Sequence, residues 1–257
     1  MVNSTNHLAD WTSLSPAQSR LTDEQSRIQA EIDAFERFCE RLNDIPVHLS
    51  HANGGSLKTT ICSWFHLSEP PQDIIECAYR ETVLSVDHWM DAYGEDTVYE
   101  SMANEFGAGI VAGVTGGSAT WSPQLLTQLC IESTTAIETR QQTNQILKEE
   151  QEQLEDLHGS LALISEELAM VERGTDTFSE CSRRLTTTRD HLDQLAVDHQ
   201  AYLQQRSTSL VHDDLFASLV YSDLDIDHPG LAALATARDI HDRIEHQHWA
   251  GLTASST

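Results

Sequence analysis

Between Ser122 and Arg206 apolar residues recur in alternating steps of three and four, which places them on one stripe of a helix. On a first limb the seam reads Leu126, Leu129, Ser133, Ala136, Arg140, Thr143, Leu147, Glu150, Leu154, Leu157, Leu161, Ile164, Leu168 and Val171; on a second it reads Phe178, Cys181, Leu185, Thr188, Leu192, Leu195, His199 and Tyr202. Gly174-Thr175-Asp176 separates them, and a glycine there suits the left-handed backbone that ends many helices. Counting outward from the turn sets Val171 against Phe178, Leu168 against Cys181, Ile164 against Leu185, Leu157 against Leu192 and Leu154 against Leu195. The next layer pairs Glu150 with His199, a polar layer expected to fix register at some cost in stability. Each buried leucine contributes about 1.5 to 3 kcal/mol, so the apolar layers outweigh it. From Ser133 to Thr143 the seam is poor in apolar residues, which leaves surface for an N-terminal helix, a partner or a second copy to cover, or for solvent.

The flanking pattern predicts further helices. Ser15-Pro16 supplies an N-cap and first-turn proline, and Leu14, Leu21, Ile28, Phe35 and Leu42 follow at sevens to about Asn43. Glu24 and Glu31 interrupt its N-terminal half, which is expected to pack loosely or to be solvated. After Pro46 the pattern turns to Gly, Ser, His and β-branched residues, and 57–64 (LKTTICSW) is the one candidate strand. Helices are expected over 72–93 and 97–106, with a glycine-rich stretch at 107–117 and a last helix over 230–249. The fold class is therefore all-α, with at most one short strand or hairpin. The domain reading is a disordered leader (1–13), a long antiparallel coiled-coil stalk (14–45 and 122–206), a small head (46–121 and 207–252) and a disordered tail (253–257).

Charge changes the picture of the surroundings. A net charge of -26 over 257 residues, with lysine only at positions 58 and 148, resembles a halophile's composition. Such charges repel over about 10 Å at 0.1 M salt but only about 3 Å at 1 M, so folding is expected to need molar salt. The same balance argues against a nucleic-acid partner, since phosphate binding relies on clustered Lys and Arg; Arg183, Arg184 and Arg189 are interleaved with acids. Five cysteines, at 39, 62, 77, 130 and 181, include no C-x-x-C pair and fit reduced thiols in a cytoplasmic protein. No apolar run approaches the roughly 18 residues of a membrane span.

The run Ala78-Tyr79-Arg80-Glu81-Thr82-Val83, with Tyr93-Gly94-Glu95, Glu105-Phe106-Gly107, Ser122-Pro123-Gln124-Leu125 and Tyr221-Ser222-Asp223-Leu224-Asp225 before His228-Pro229, resembles an uncharacterised haloarchaeal family known only as a domain of unknown function. The resemblance implies a helical cytoplasmic protein and lends no reaction, cofactor or catalytic residue. His228 and Gly230 depart from it, standing where an aromatic and an aliphatic residue are expected.

Chemistry-bearing residues are sparse. His48-x2-His51-x10-Cys62-x3-His66 offers nitrogen and sulfur donors at spacings a tetrahedral zinc site can use. Glu81, His88, Asp91 and Glu95 follow one another on one helical face, where they read either as cation ligands or as a hydrated acidic face. His241, Glu245 and His248 form a similar face. Gly54-Gly55 before Lys58-Thr59-Thr60 lacks the P-loop's second glycine, and Gly107-Ala108-Gly109 follows a helical pattern where a dinucleotide fold needs a strand. The sequence favours a non-enzymatic scaffold or partner-binding, oligomerising protein with no cofactor. The alternative is a metal-dependent enzyme or metal-stabilised regulator holding zinc through His48, His51, Cys62 and His66.

Overall fold

The computed structural model describes residues 12–45, 71–89, 97–116, 122–209, 216–217 and 220–254. Among these the chain is all-α: α1 (Leu14–Asn43), α2 (Pro71–Thr82), α3 (Val98–Phe106), α4 (Ala108–Thr115), α5 (Pro123–Arg173), α6 (Phe178–Ser209) and α7 (Pro229–Ala254), with a 3-10 turn at Val83–Ser85 and no strand. The candidate strand at 57–64 lies outside the described residues.

Several helix ends follow from local chemistry. Ser122 caps α5, its Oγ accepting from the Leu125 N–H at 3.2 Å. Thr97 and Glu100 form a reciprocal capping box on α3. Gly174 adopts φ 64° and closes α5, and Thr177 caps α6 by accepting from the Glu180 N–H at 3.3 Å. Three expectations need correction. The first helix begins at Leu14, ahead of the Ser15-Pro16 cap, because a proline within the first turn lacks only an N–H that would have no helical partner. The helix expected over 72–93 leaves α geometry at Thr82, whose Oγ1 bonds back to the Ala78 carbonyl at 2.7 Å. The glycine-rich 107–117 contains α4, because Gly107, at φ 87°, lets α3 stop and α4 start with one residue between them.

The chain divides into two compact units, Met1–Gln25 with Ile146–Thr257 and Ser26–Gln145. α3 and α4 belong to the second unit and α7 to the first. The physical reason is that α7 lies along α6, whereas α2, α3 and α4 pack on one another.

In the first unit the expected layers Leu168 with Cys181, Ile164 with Leu185 and Leu157 with Leu192 are all buried, as are Leu161 and Thr188. Arg184 on α6 donates to Glu167 on α5, and Tyr202 donates to Glu150, so the two helices run antiparallel in the counted direction. Phe178 departs from its layer. It is 41% exposed and stacks on His248 of α7, with ring centroids 4.4 Å apart, because α7 offers an aromatic face that Val171 does not. The N-terminal part of α1 is not loose: Leu14, Ala17 and Leu21 are fully buried, and Gln25 Nε2 donates to the Leu147 carbonyl at 3.3 Å.

The second unit is built on aromatics. Phe35, Phe38, Tyr79 and Phe106 meet at centroid distances of 5.3 to 6.2 Å, with Ile75, Met102 and Leu129 buried around them. Tyr79 Oη and Ser101 Oγ lie 3.0 Å apart within this core, and burial pushes the phenol well above its usual range. The apolar-poor seam from Ser133 onward is covered here. Ser133 is fully buried with its Oγ on the Leu129 carbonyl, and Asn144 Nδ2 donates to Gln29 Oε1 at 3.4 Å.

Candidate functional site

Each unit holds one arginine within an ionic cluster, buried in the first unit and half-buried in the second. In the first, Glu150 is 2% exposed, and its carboxylate accepts from Arg206, from Tyr202 Oη at 2.8 Å and from Tyr221 Oη at 2.9 Å. The Arg206 guanidinium also lies 4.6 Å from the Phe216 ring centroid, which gives the buried cation a π face. Burial and the neighbouring Glu150 charge push both phenols far above their ordinary range, so they stay protonated and donate to the carboxylate. His199 is buried next to this cluster. Burial pushes its imidazole below the usual range, the Glu150 charge works the other way, and Arg206 and His228 add to the lowering. The expected polar layer is present, but what it pairs is Glu150 with Arg206 and two tyrosines. Gly230 explains why His199 fits: a Cβ at residue 230 would lie 2.2 Å from His199 Nε2.

In the second unit Arg140 donates through Nε to Glu31 at 2.7 Å and through Nη2 to Glu105 at 2.6 Å, with Phe35 4.5 Å from its guanidinium carbon. His88 Nε2 reaches the other oxygen of Glu31 at 2.9 Å. Two carboxylates, one guanidinium and one imidazole thus tie α1, α3, α5 and the turn after α2 together. These are structural uses of charge: every carboxylate in either cluster is spent on a protein donor.

Only some of the candidate ligands belong to the described residues. His48, His51, Cys62 and His66 lie outside the described residues, as do Asp91, Glu95 and the P-loop look-alike. Glu81 turns to Arg41 and to the Cys77 thiol, at 2.5 and 3.3 Å, which hold its carboxyl below the usual range, whereas His88 turns to Glu31. Arg183, Arg184 and Arg189 each meet carboxylates: Glu180; Glu167 and Asp176; and Glu245. Cys39, Cys77, Cys130 and Cys181 are free thiols. On α7, His248 bonds Ser182 at 3.1 Å and stacks on Phe178, so its ring is engaged by α6. No helix among the described residues is long and apolar enough to cross a membrane.

The motif residues fall on these same clusters: Tyr79 and Phe106 in the aromatic core, Glu105 on Arg140, Tyr221 on Glu150, and Asp223 on Arg20. A family model described as a domain of unknown function, DUF7260, matches residues 12–245. The chain belongs to the DUF7260 family. No curated protein and no solved structure matches it. Among the described motif residues, Tyr79, Glu105 and Phe106 join helices of the second unit, and Tyr221 and Asp223 tie the segment before α7 to α5 and α1 in the first.

Among the described residues, the large apolar side chains that face outward are Ile131, Leu163, Phe178, Val197 and Trp249. Leu163 is 62% exposed and borders a groove of about 410 Å³ between α5 and α6, whose walls include Glu166, Glu167, Arg183, Arg184 and His191. Val197 is 59% exposed on α6, and Ile131 is half exposed on α5.

Proposed function

We propose that the protein is a non-enzymatic coiled-coil scaffold of a salt-loaded cytoplasm that binds a protein partner or a second copy of itself. The observation that supports this reading is the contrast between Leu163 and its neighbour Ile164. Ile164 is 1% exposed inside the α5 and α6 seam, while Leu163 stands 62% exposed beside a groove with both charge signs on its rim. A partner that inserts an apolar side chain there gains about 25 cal/mol for each Å² of apolar surface it covers, and the mixed rim supplies orientation. Within the stretch from Ser133 to Thr143, Ser133, Ala136 and Arg140 already pack inside the second unit. A surface of net charge -26 makes association depend on salt, which screens the repulsion between acidic partners.

Cross-linking with mass spectrometry in molar KCl tests the proposal. Intermolecular links clustered on α5 and α6 around Leu163, reduced in a Leu163→Glu variant of unchanged helicity, are expected. Links that are absent, or that persist unchanged in the variant, contradict it.

A further inference from the structure

We propose that His241, Asp242 and Glu245 of α7 form a site for a divalent transition-metal ion, with zinc as the probe that suits its donors. Their ligand atoms all lie within 4.8 Å of one another. Ligands held about 2.1 Å from a tetrahedral ion are separated by roughly 3.4 Å, so a side-chain adjustment closes the site without moving the helix.

His241 carries the argument. Its side chain is fully buried, and Nε2 lies 2.8 Å from the Leu185 carbonyl oxygen of α6. A carbonyl only accepts, so Nε2 bears the hydrogen, and in the neutral imidazole the lone pair is on Nδ1. That nitrogen faces Asp242 Oδ1 at 3.2 Å. Two acceptors at this distance call for a positive species between them, and Glu245 adds a second carboxylate. Donation of one ring N–H to a backbone carbonyl while the other nitrogen faces the ion is the way metal-bound histidines are usually oriented. Arg189 holds Glu245 through Oε2, leaving Oε1 with a long 3.5 Å contact to Trp249 Nε1, and Arg238 Nε lies 3.4 Å from Asp242 Oδ1, the oxygen that faces His241. One imidazole and two carboxylates suit zinc or cobalt(II), with water completing the shell. Bound metal would strengthen the docking of α7 on α6, since His241 already spans them.

The test uses the full chain in molar KCl at pH 7 after treatment with a chelator. Variant His48→Ala/His51→Ala/Cys62→Ser/His66→Ala removes the other candidate donors and is titrated calorimetrically with zinc alone. One zinc per chain is expected, with affinity about 100-fold or more weaker when Asp242→Asn and Glu245→Gln are added. Absence of zinc binding by the first variant, or equal binding by both, overturns the site. A second readout needs no change at the ligands. Trp249 Nε1 lies 3.5 Å from Glu245 Oε1, so paramagnetic cobalt(II) is expected to quench the part of the fluorescence that Trp249→Phe removes. An unquenched Trp249 component also overturns the proposal, leaving a proton on Nδ1 as the positive species.

Discussion

Replacing Arg206 by methionine isolates the charge buried in the first unit. The Arg206 side chain is 5% exposed and that of Glu150 2% exposed, so water cannot take over the missing contact. The variant leaves the Glu150 carboxylate with two phenol donors in place of two phenols and a cation. Removal of one partner from a buried pair costs about 3 to 5 kcal/mol, most of it the penalty of the charge left behind. Losing a hydrogen bond to that carboxylate through Tyr202→Phe or Tyr221→Phe costs less, about 1.5 to 3 kcal/mol. If the cost is the uncompensated charge, removing every member of the cluster must recover it. Glu150→Met/Tyr202→Phe/Arg206→Met/Tyr221→Phe is therefore expected to unfold closer to the wild type than Arg206→Met alone. Urea unfolding at constant molar KCl, followed by far-ultraviolet circular dichroism, gives the values, with the slope m checked for constancy. A cost below about 1 kcal/mol for Arg206→Met, the range of a solvated surface pair, refutes the reasoning.

Other consequences concern neighbouring residues and solvent. Gly230→Ala places a Cβ against the His199 ring and is expected to cost about 1 to 3 kcal/mol; pairing it with His199→Ala should recover part of that in a double-mutant cycle, and strict additivity would count against the contact. His199 has a folded pKa below its unfolded value near 6.5, so the unfolded chain binds the extra proton first. Its contribution is intact above about pH 6.5 and is lost as pH falls below it; a His199→Gln variant should show a shallower fall in urea stability between pH 7 and 5, and an identical slope would contradict this. Lowering KCl from molar to about 0.01 M lengthens the screening distance to about 30 Å, and helicity should drop; full helicity without salt would exclude salt-dependent folding.

The helices were legible because their seams are periodic and their ends carry chemistry that acts within four residues, as at Ser122, Gly174 and Thr97. Phe178 shows where periodicity stops: it lies on the seam by spacing, but the aromatic face that captures it comes from α7, some 70 residues later. Glu150 was legible as a polar layer. Its partners were legible only in part: Tyr202 stands on the second ladder and Arg206 lies seven residues after His199, but Tyr221 reaches it from outside both ladders. Arg140 likewise read as a gap in an apolar seam, because the sequence does not reveal that Glu31 and Glu105 arrive from α1 and α3. Asp242 escaped notice because only the position of Leu185 on α6 fixes which way His241 turns.

Association through α5 and α6 is tested most directly by light scattering coupled to size exclusion in molar KCl, with purified chain loaded alone and after incubation in lysate. The wild type is expected to run as a dimer or with a stoichiometric protein partner, and Leu163→Glu/Val197→Glu, at equal helicity, as a bare monomer. A monomeric wild type that recovers nothing, or a variant that assembles as the wild type does, would contradict the scaffold.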